Sequence, residues 1–342
     1  MVMSGGGFRF GMYLGMYQAA CDAGQQPDVL LAGCGGAMAA ALIHSMPAHV
    51  DRVAALASHE MYQFWTGIHA TPQNNLSTAL CGLVARASTS GRCPVIPDLF
   101  NDYLFKAPPL HLPVQTIKHS NLSGPDIAVI GCRLLFDAKE QAAISPPVRG
   151  DRKLFEETVF GSSRALQCLS GTTSGGWRAE SAIAQHVAVD QNMPLDEAVK
   201  ISVIDMFYFA PWQHRDDFYL GGVVDLFPLE MANRLAPRVI FERKSVAGHC
   251  FIQPAWRSVL GIDGRLRQQT VYRDTRVTTW IDTRNLSHAL KLNGIGKKID
   301  WRHQSIALDP PKTYDNYVRN IDAQVKYGYQ QASLAFSQSK TM

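Results

Sequence analysis

The sequence predicts an α/β fold built on a mostly parallel sheet, and three features predict it. A short apolar strand, Val2-Met3, runs through Ser4-Gly5-Gly6-Gly7 into a helical stretch from Gly11 to Ala23. A second apolar strand, Asp28 to Ala32, turns directly into a second helix, Gly36 to Met46, which Pro47 stops. Strand, helix, strand and helix in such quick succession open a parallel sheet with right-handed crossovers. Further on, Ile127 to Phe136 reads as another buried strand, and Phe218-Tyr219-Leu220 as a strand that ends on Gly221-Gly222.

The remaining elements follow in order. Gly7, Gly11 and Gly15 recur every four residues and would bring the first helix close to a sheet, since no Cβ holds the backbones apart. Gly24 is its C-terminal cap. Val50 to Trp65 has helical spacing. Residues 70–125 are rich in Pro, Ser and Asn and read as an irregular segment covering one end of the sheet. Leu195 to Asp205 is helical, Arg238 to Glu242 and Thr270 to Thr283 are strands, and Tyr314 to Phe336 is a closing helix. The 342 residues are read as one domain, with no internal repeat.

Composition narrows the function. Hydrophobic content of 46% and charged content of 18% describe a chain that can bury a large core. The formal net charge is only +4, without a run of like charges, which argues against nucleic acid as a partner. The longest apolar stretch, Val29 to Ile43, is broken by glycines and too short to span a bilayer. The chain opens on a core strand without the basic and apolar regions of a secretory leader. Seven dispersed cysteines with no C-x-x-C pair fit reduced thiols, so a cytoplasmic location is expected, and neither a metal nor a cofactor.

Glycines between a strand and a helix expose backbone N–H groups at a positive helix end, where an oxyanion can be held. The dinucleotide fingerprint fails because Phe10 stands at its third glycine, and the P-loop pattern is missing. Ser170-Gly-Thr-Thr-Ser-Gly-Gly176 reads as a polar turn, and His214-Arg215-Asp216-Asp217 as a solvated one.

The glycine loop, the small-residue turn Gly33-Cys34-Gly35-Gly36-Ala37 and the late Gly221-Gly222 together resemble the patatin-like phospholipase family. The resemblance implies a three-layer α/β/α fold, a lipid or acyl-chain ligand, and a serine–aspartate dyad. It places Gly5, Gly6 and Gly7 in an oxyanion hole with Arg9 at the basic position of the loop. On the family's G-x-S-x-G elbow it sets Gly35 at the nucleophile and Leu220 at the general base. Neither residue has the required chemistry. Asp216 lies about 13 Å from Leu220 at a strand's rise per residue, Asp217 faces the other way, and Asp225 falls past the turn as a loop anchor.

Loss of such a dyad lowers rates by roughly 10⁴ to 10⁶. The expected function is therefore that of a pseudoenzyme that binds lipid or acyl groups or scaffolds a partner enzyme, with peripheral membrane contact allowed. Two alternatives stand beside it: an active hydrolase with an unconventional nucleophile, Cys34, and a purely structural subunit.

Overall fold

The computed structural model describes residues 1–88, 92–109, 124–143, 148–245 and 252–339. The chain starts with β1 (Val2–Ser4), α1 (Gly11–Asp22), β2 (Val29–Gly33) and α2 (Gly35–Ser45), then α3 (His49–Leu56) and α4 (His59–Thr66). The strands β3 (Asp126–Leu134), β4 (Phe155–Gly161) and β5 (Ala188–Asp190) follow, then α5 (Leu195–Val203), β6 (Trp212–His214) and β7 (Asp217–Leu220). The last third holds β8 (Val239–Arg243), α6 (Gly264–Tyr272), β9 (Val277–Asp282) and α7 (Tyr314–Ser339).

The main sheet has the order β1-β2-β3-β4-β5, with β7 paired to β3 and β6 to β7. Its opening strands β1, β2 and β3 run parallel, as the βαβα start predicts. Strand β4 and the β6–β7 hairpin join antiparallel, so the sheet is mixed. Strand β2 pairs with Asp126–Ile130 of β3, whereas β7 pairs with Cys132 and Arg133. The ends of β2 and β7 therefore meet along one edge of β3, and their turns become neighbours.

Alternate residues of the strands feed two separate apolar clusters. Met3, Leu30, Ala32, Ile127, Val129 and Tyr219 face one side, packed under α1, α2, α5 and α7. Val2, Leu31, Ala128, Ile130, Cys132 and Leu220 face the other, with α6 and the helices Ser163–Leu169 and Leu229–Leu235. Helices thus cover both faces of the sheet, which explains why its strands are apolar without a polar alternation.

Several expectations are corrected. Gly15 does not bring α1 to the sheet but to α7, where a Cβ would strike the carbonyl of Val325. Gly328 answers it from α7 with no room for a Cβ against Met12. The close helix-to-strand approach belongs to Gly36, whose missing side chain lets α2 rest on Met3. The expected Val50–Trp65 helix is two helices, because Ser58 restarts the backbone by accepting a hydrogen bond from Met61 N–H at 3.3 Å. The expected strand from Thr270 begins only at Val277. Residues 270–272 end α6, which Asp263 nucleates by accepting from Leu266 N–H at 2.9 Å, so capping overrides the β-branched run. Within 70–125 a helix spans Leu76–Ser88 and a short pairing joins His69–Ala70 to Phe105–Lys106, and residues 89–91 and 110–123 lie outside the described set.

The second face also buries charge. Arg178 is fully buried between Glu157 of β4 at 2.5 Å and Asp225 at 2.9 Å. Its guanidinium and that of Arg267 stack on Trp177, 4.5 and 4.2 Å from the ring centre. Asp225 also accepts from Phe227 N–H at 2.9 Å and anchors the loop after the Gly221-Gly222 turn.

Candidate active site

The strained point between β2 and α2 is Cys34. Its backbone stands at φ 52° and ψ −133°, in a region that side-chain-bearing residues seldom occupy. Gly35 is already the first residue of α2. A strand-to-helix elbow displays the residue at its strained apex, and here that residue carries a thiol. The residue at the strained apex is therefore Cys34, one position before the Gly35 that the resemblance sets at the nucleophile. Glycine is required at 35 for another reason: a Cβ there would lie 2.7 Å from the carbonyl of Gly7 and 3.1 Å from Phe10. Gly35→Ser is therefore expected to destabilise the fold by about 1–3 kcal/mol through overpacking and to create no nucleophile. Urea unfolding and an ester assay check both halves.

The glycine loop is laced to this turn. Gly5 N–H donates to Gly33 at 2.9 Å, and Gly36 N–H donates to the carbonyl of Gly5 at 3.1 Å. Gly5 is thus a fastener and not a donor to a ligand, which narrows the expected oxyanion set. The amides of Gly6, Gly7 and Gly35 make no hydrogen bond among the described residues. Gly5, Gly6 and Gly7 all have positive φ (86°, 91° and 55°), so only glycine takes this path without strain. Gly7 is exposed and Gly6 half-exposed. Arg9 is half-exposed; its Nε donates to the carbonyl of Leu290 at 3.2 Å, and its stem lies against Gly294.

Leu220 is not at the thiol's base position in any chemical sense. It is 2% exposed within the second apolar cluster, paired across β3 with Cys132. The carboxylate that reaches Cys34 is Asp205, whose Oδ1 accepts the thiol's hydrogen bond at 3.6 Å. Asp205 follows the end of α5, and α5 is tied to the elbow by Ser202. That hydroxyl accepts from Cys34 N–H at 3.0 Å and donates to the carbonyl of Ile130 at 2.6 Å.

The late Gly-Gly turn is what permits this meeting. A Cβ on Gly221 would lie 2.5 Å from the carbonyls of Ser202 and Ile204, and one on Gly222 would lie 2.9 Å from Gly33 Cα and 3.0 Å from Cys34 N. The turn is a spacer between the Asp205 segment and the elbow. Phe207 nearby is another residue at positive φ, 65°, and such strain gathers at functional sites. Sequence reasoning missed Asp205 because it looked along β7. The available signal was a lone carboxylate set between Ile204 and Met206 at a helix end.

Electrostatically the pair is a protonated thiol beside a buried carboxyl group. Burial first, and then the Asp205 charge, push the Cys34 thiol well above its ordinary value, with Lys244 opposing. Burial also raises the Asp205 carboxyl, against Lys297 and the thiol's own hydrogen bond. Behind the loop, Tyr13 donates to Glu242 at 2.7 Å, Lys244 lies 3.6 Å from Glu242, and Lys244 donates to the carbonyl of Ser4. This network holds the loop's entry strand and sets an ammonium near the thiol.

Neither known protein families nor curated proteins give a match to this chain.

The other sequence candidates lie elsewhere in the fold. Ser174 in the polar turn donates to the carbonyl of Gln185 at 3.0 Å, and Thr172 is buried. Residues His214 to Asp217 make the β6–β7 hairpin turn, with Asp217 3.7 Å from Arg133. Six cysteines are free, and Cys250 lies outside the described residues. Among the described residues, no helix is long and apolar enough to cross a membrane.

Proposed function

We propose that the chain is a patatin-like acyl hydrolase in which Cys34 replaces the serine and Asp205 replaces the aspartate. The observation that supports this reading above all is a cysteine at φ 52° in a strand-to-helix elbow with its Sγ 3.6 Å from a carboxylate. The absence of a serine and an aspartate at Gly35 and Leu220 does not weigh against this reading, because Cys34 and Asp205 are the thiol and carboxyl that meet at the elbow.

The reaction follows from the placement of the thiol, the carboxyl and the loop amides. An acyl ester enters with its carbonyl oxygen toward the amides of Gly6, Gly7 and Gly35. As Sγ bonds to the carbonyl carbon, the thiol proton moves to the Asp205 carboxylate, and the amides hold the oxyanion. Collapse breaks the ester C–O bond, and the leaving alkoxide takes the proton from Asp205. Water, deprotonated by the same carboxylate, then hydrolyses the thioester and frees the thiol. The substrate class is a lipid or other acyl ester, and the reduced thiol this requires fits a cytoplasmic location.

Two results test it. A short activated ester should leave its acyl group on Cys34, read by intact mass and peptide mapping. The rate should rise with pH as Asp205 loses its proton, with the acid limb above the ordinary carboxylate range because burial raises that group. Asp205→Asn should remove this limb and lower turnover by about 10²–10⁴. A folded protein with no adduct and no turnover would leave the second reading, a non-catalytic acyl-binding protein. The observation in its favour is that Cys34 is only 8% exposed.

A further inference from the structure

One surface combines exposed apolar side chains with excess positive charge beside the elbow. The antiparallel hairpin of Gly296–Asp300 and Ser305–Asp309 carries Trp301 at its turn, 75% exposed, and Ile299 on its outer strand, 42% exposed. Leu292, just before the hairpin, is 85% exposed. Between residues 291 and 312 stand Lys291, Lys297, Lys298, Arg302 and Lys312 against only Asp300 and Asp309. Most of the chain's formal charge of +4 is therefore matched by this one segment's excess of three.

The hairpin is held in place. Asn74 binds Ile306 through both its donor and its acceptor, at 2.8 and 2.9 Å. The segment also lies near the site, since the charge of Lys297 acts on Asp205. Lys297 reaches the hydroxyl of Tyr208, three residues beyond Asp205, and Gly294 lies against the stem of Arg9 from the glycine loop.

We propose that this hairpin docks the chain on an anionic lipid surface. Trp301 and Leu292 enter the interfacial layer, where an indole is accommodated with its polar edge wet. Lys291, Lys298 and Arg302 meet phosphate headgroups, their stems lying along the apolar layer. Charge complementarity selects anionic lipid over a neutral surface. Single-stranded nucleic acid would need several stacking platforms along a basic groove, and here the other exposed large apolar side chains of the segment, Leu292 and Ile299, are aliphatic. The inference rests on the acyl-transfer reading only for its purpose, which is to bring lipid to the Cys34–Asp205 turn.

The full chain should sediment with phosphatidylcholine vesicles containing about one-third phosphatidylglycerol, and not with pure phosphatidylcholine, and added salt should weaken the binding. Trp301→Ala with Leu292→Ala should reduce the partition coefficient about tenfold or more, and Lys298→Glu with Arg302→Glu should abolish it. Both pairs are exposed, and circular dichroism checks that they fold. No binding to anionic vesicles, or binding unchanged by either pair, overturns the proposal. Self-association or retention by single-stranded DNA that the same substitutions remove, without vesicle binding, reassigns the surface and also overturns it. Sedimentation reads no turnover, so its failure is distinct from a failure of Cys34 to acylate.

Discussion

Replacing Cys34 by alanine is expected to lower turnover of a short activated ester by about 10³-fold or more, to what the oxyanion amides alone supply. The effect is large because nucleophile and base act as a unit. Alanine tolerates φ 52° as well as cysteine does, so the substitution adds no backbone strain of its own, and urea unfolding should move little. Cys34→Ser is the informative companion. The thiol is held protonated, with Asp205 as its base, so the site does not depend on a preformed thiolate. A serine should therefore retain measurable turnover that Asp205→Asn removes. Iodoacetamide should alkylate Cys34 slowly at neutral pH for the same reason. Turnover unaffected by Cys34→Ala after repurification would sink the assignment.

The largest stability effect is expected at Arg178. Arg178→Ala strips Glu157 and Asp225 of their shared partner while leaving both carboxylates buried. Breaking a buried pair from one side costs about 3–5 kcal/mol, whereas replacing all its members with apolar groups is often neutral. The double replacement Glu157→Gln with Asp225→Asn in the Arg178→Ala background should recover part of that loss, since neutral amides are cheaper to bury than unpaired charges. Urea unfolding checks the order. Because Asp225 anchors the loop that follows Gly221-Gly222, Arg178→Ala should also lower ester turnover through the spacer between Asp205 and Cys34. Equal stability of wild type and Arg178→Ala would show that the charges find other partners.

How far the sequence could be read differs from element to element. The strands and helices from Val2 to Ser45 appear close to where apolar runs and glycines place them, because their signals are local. The split at Ser58 and the end of α6 at Tyr272 are not legible from periodicity, since a cap of one residue outweighs the propensity of its neighbours. Gly15 was rightly marked as a close approach, but its partner Val325 lies more than three hundred residues away in sequence, and no periodicity names a partner.

By itself, the sequence determined that an α/β sheet would open with a glycine loop and a small-residue turn, and that no long apolar span would be built. It also marked the small-residue turns, at Gly5 to Gly7, Gly33 to Ala37 and Gly221-Gly222. Only the tertiary structure decided which residue stands at the strained apex, because a motif of consecutive small residues fits the elbow in two registers and φ alone separates them. It alone brought a carboxylate to the thiol, since Asp205 and Cys34 are 171 residues apart and meet through Ser202 and the Gly221-Gly222 spacer. Local chemistry sets where a chain can turn tightly, whereas the packing of distant segments decides which side chains those turns bring together.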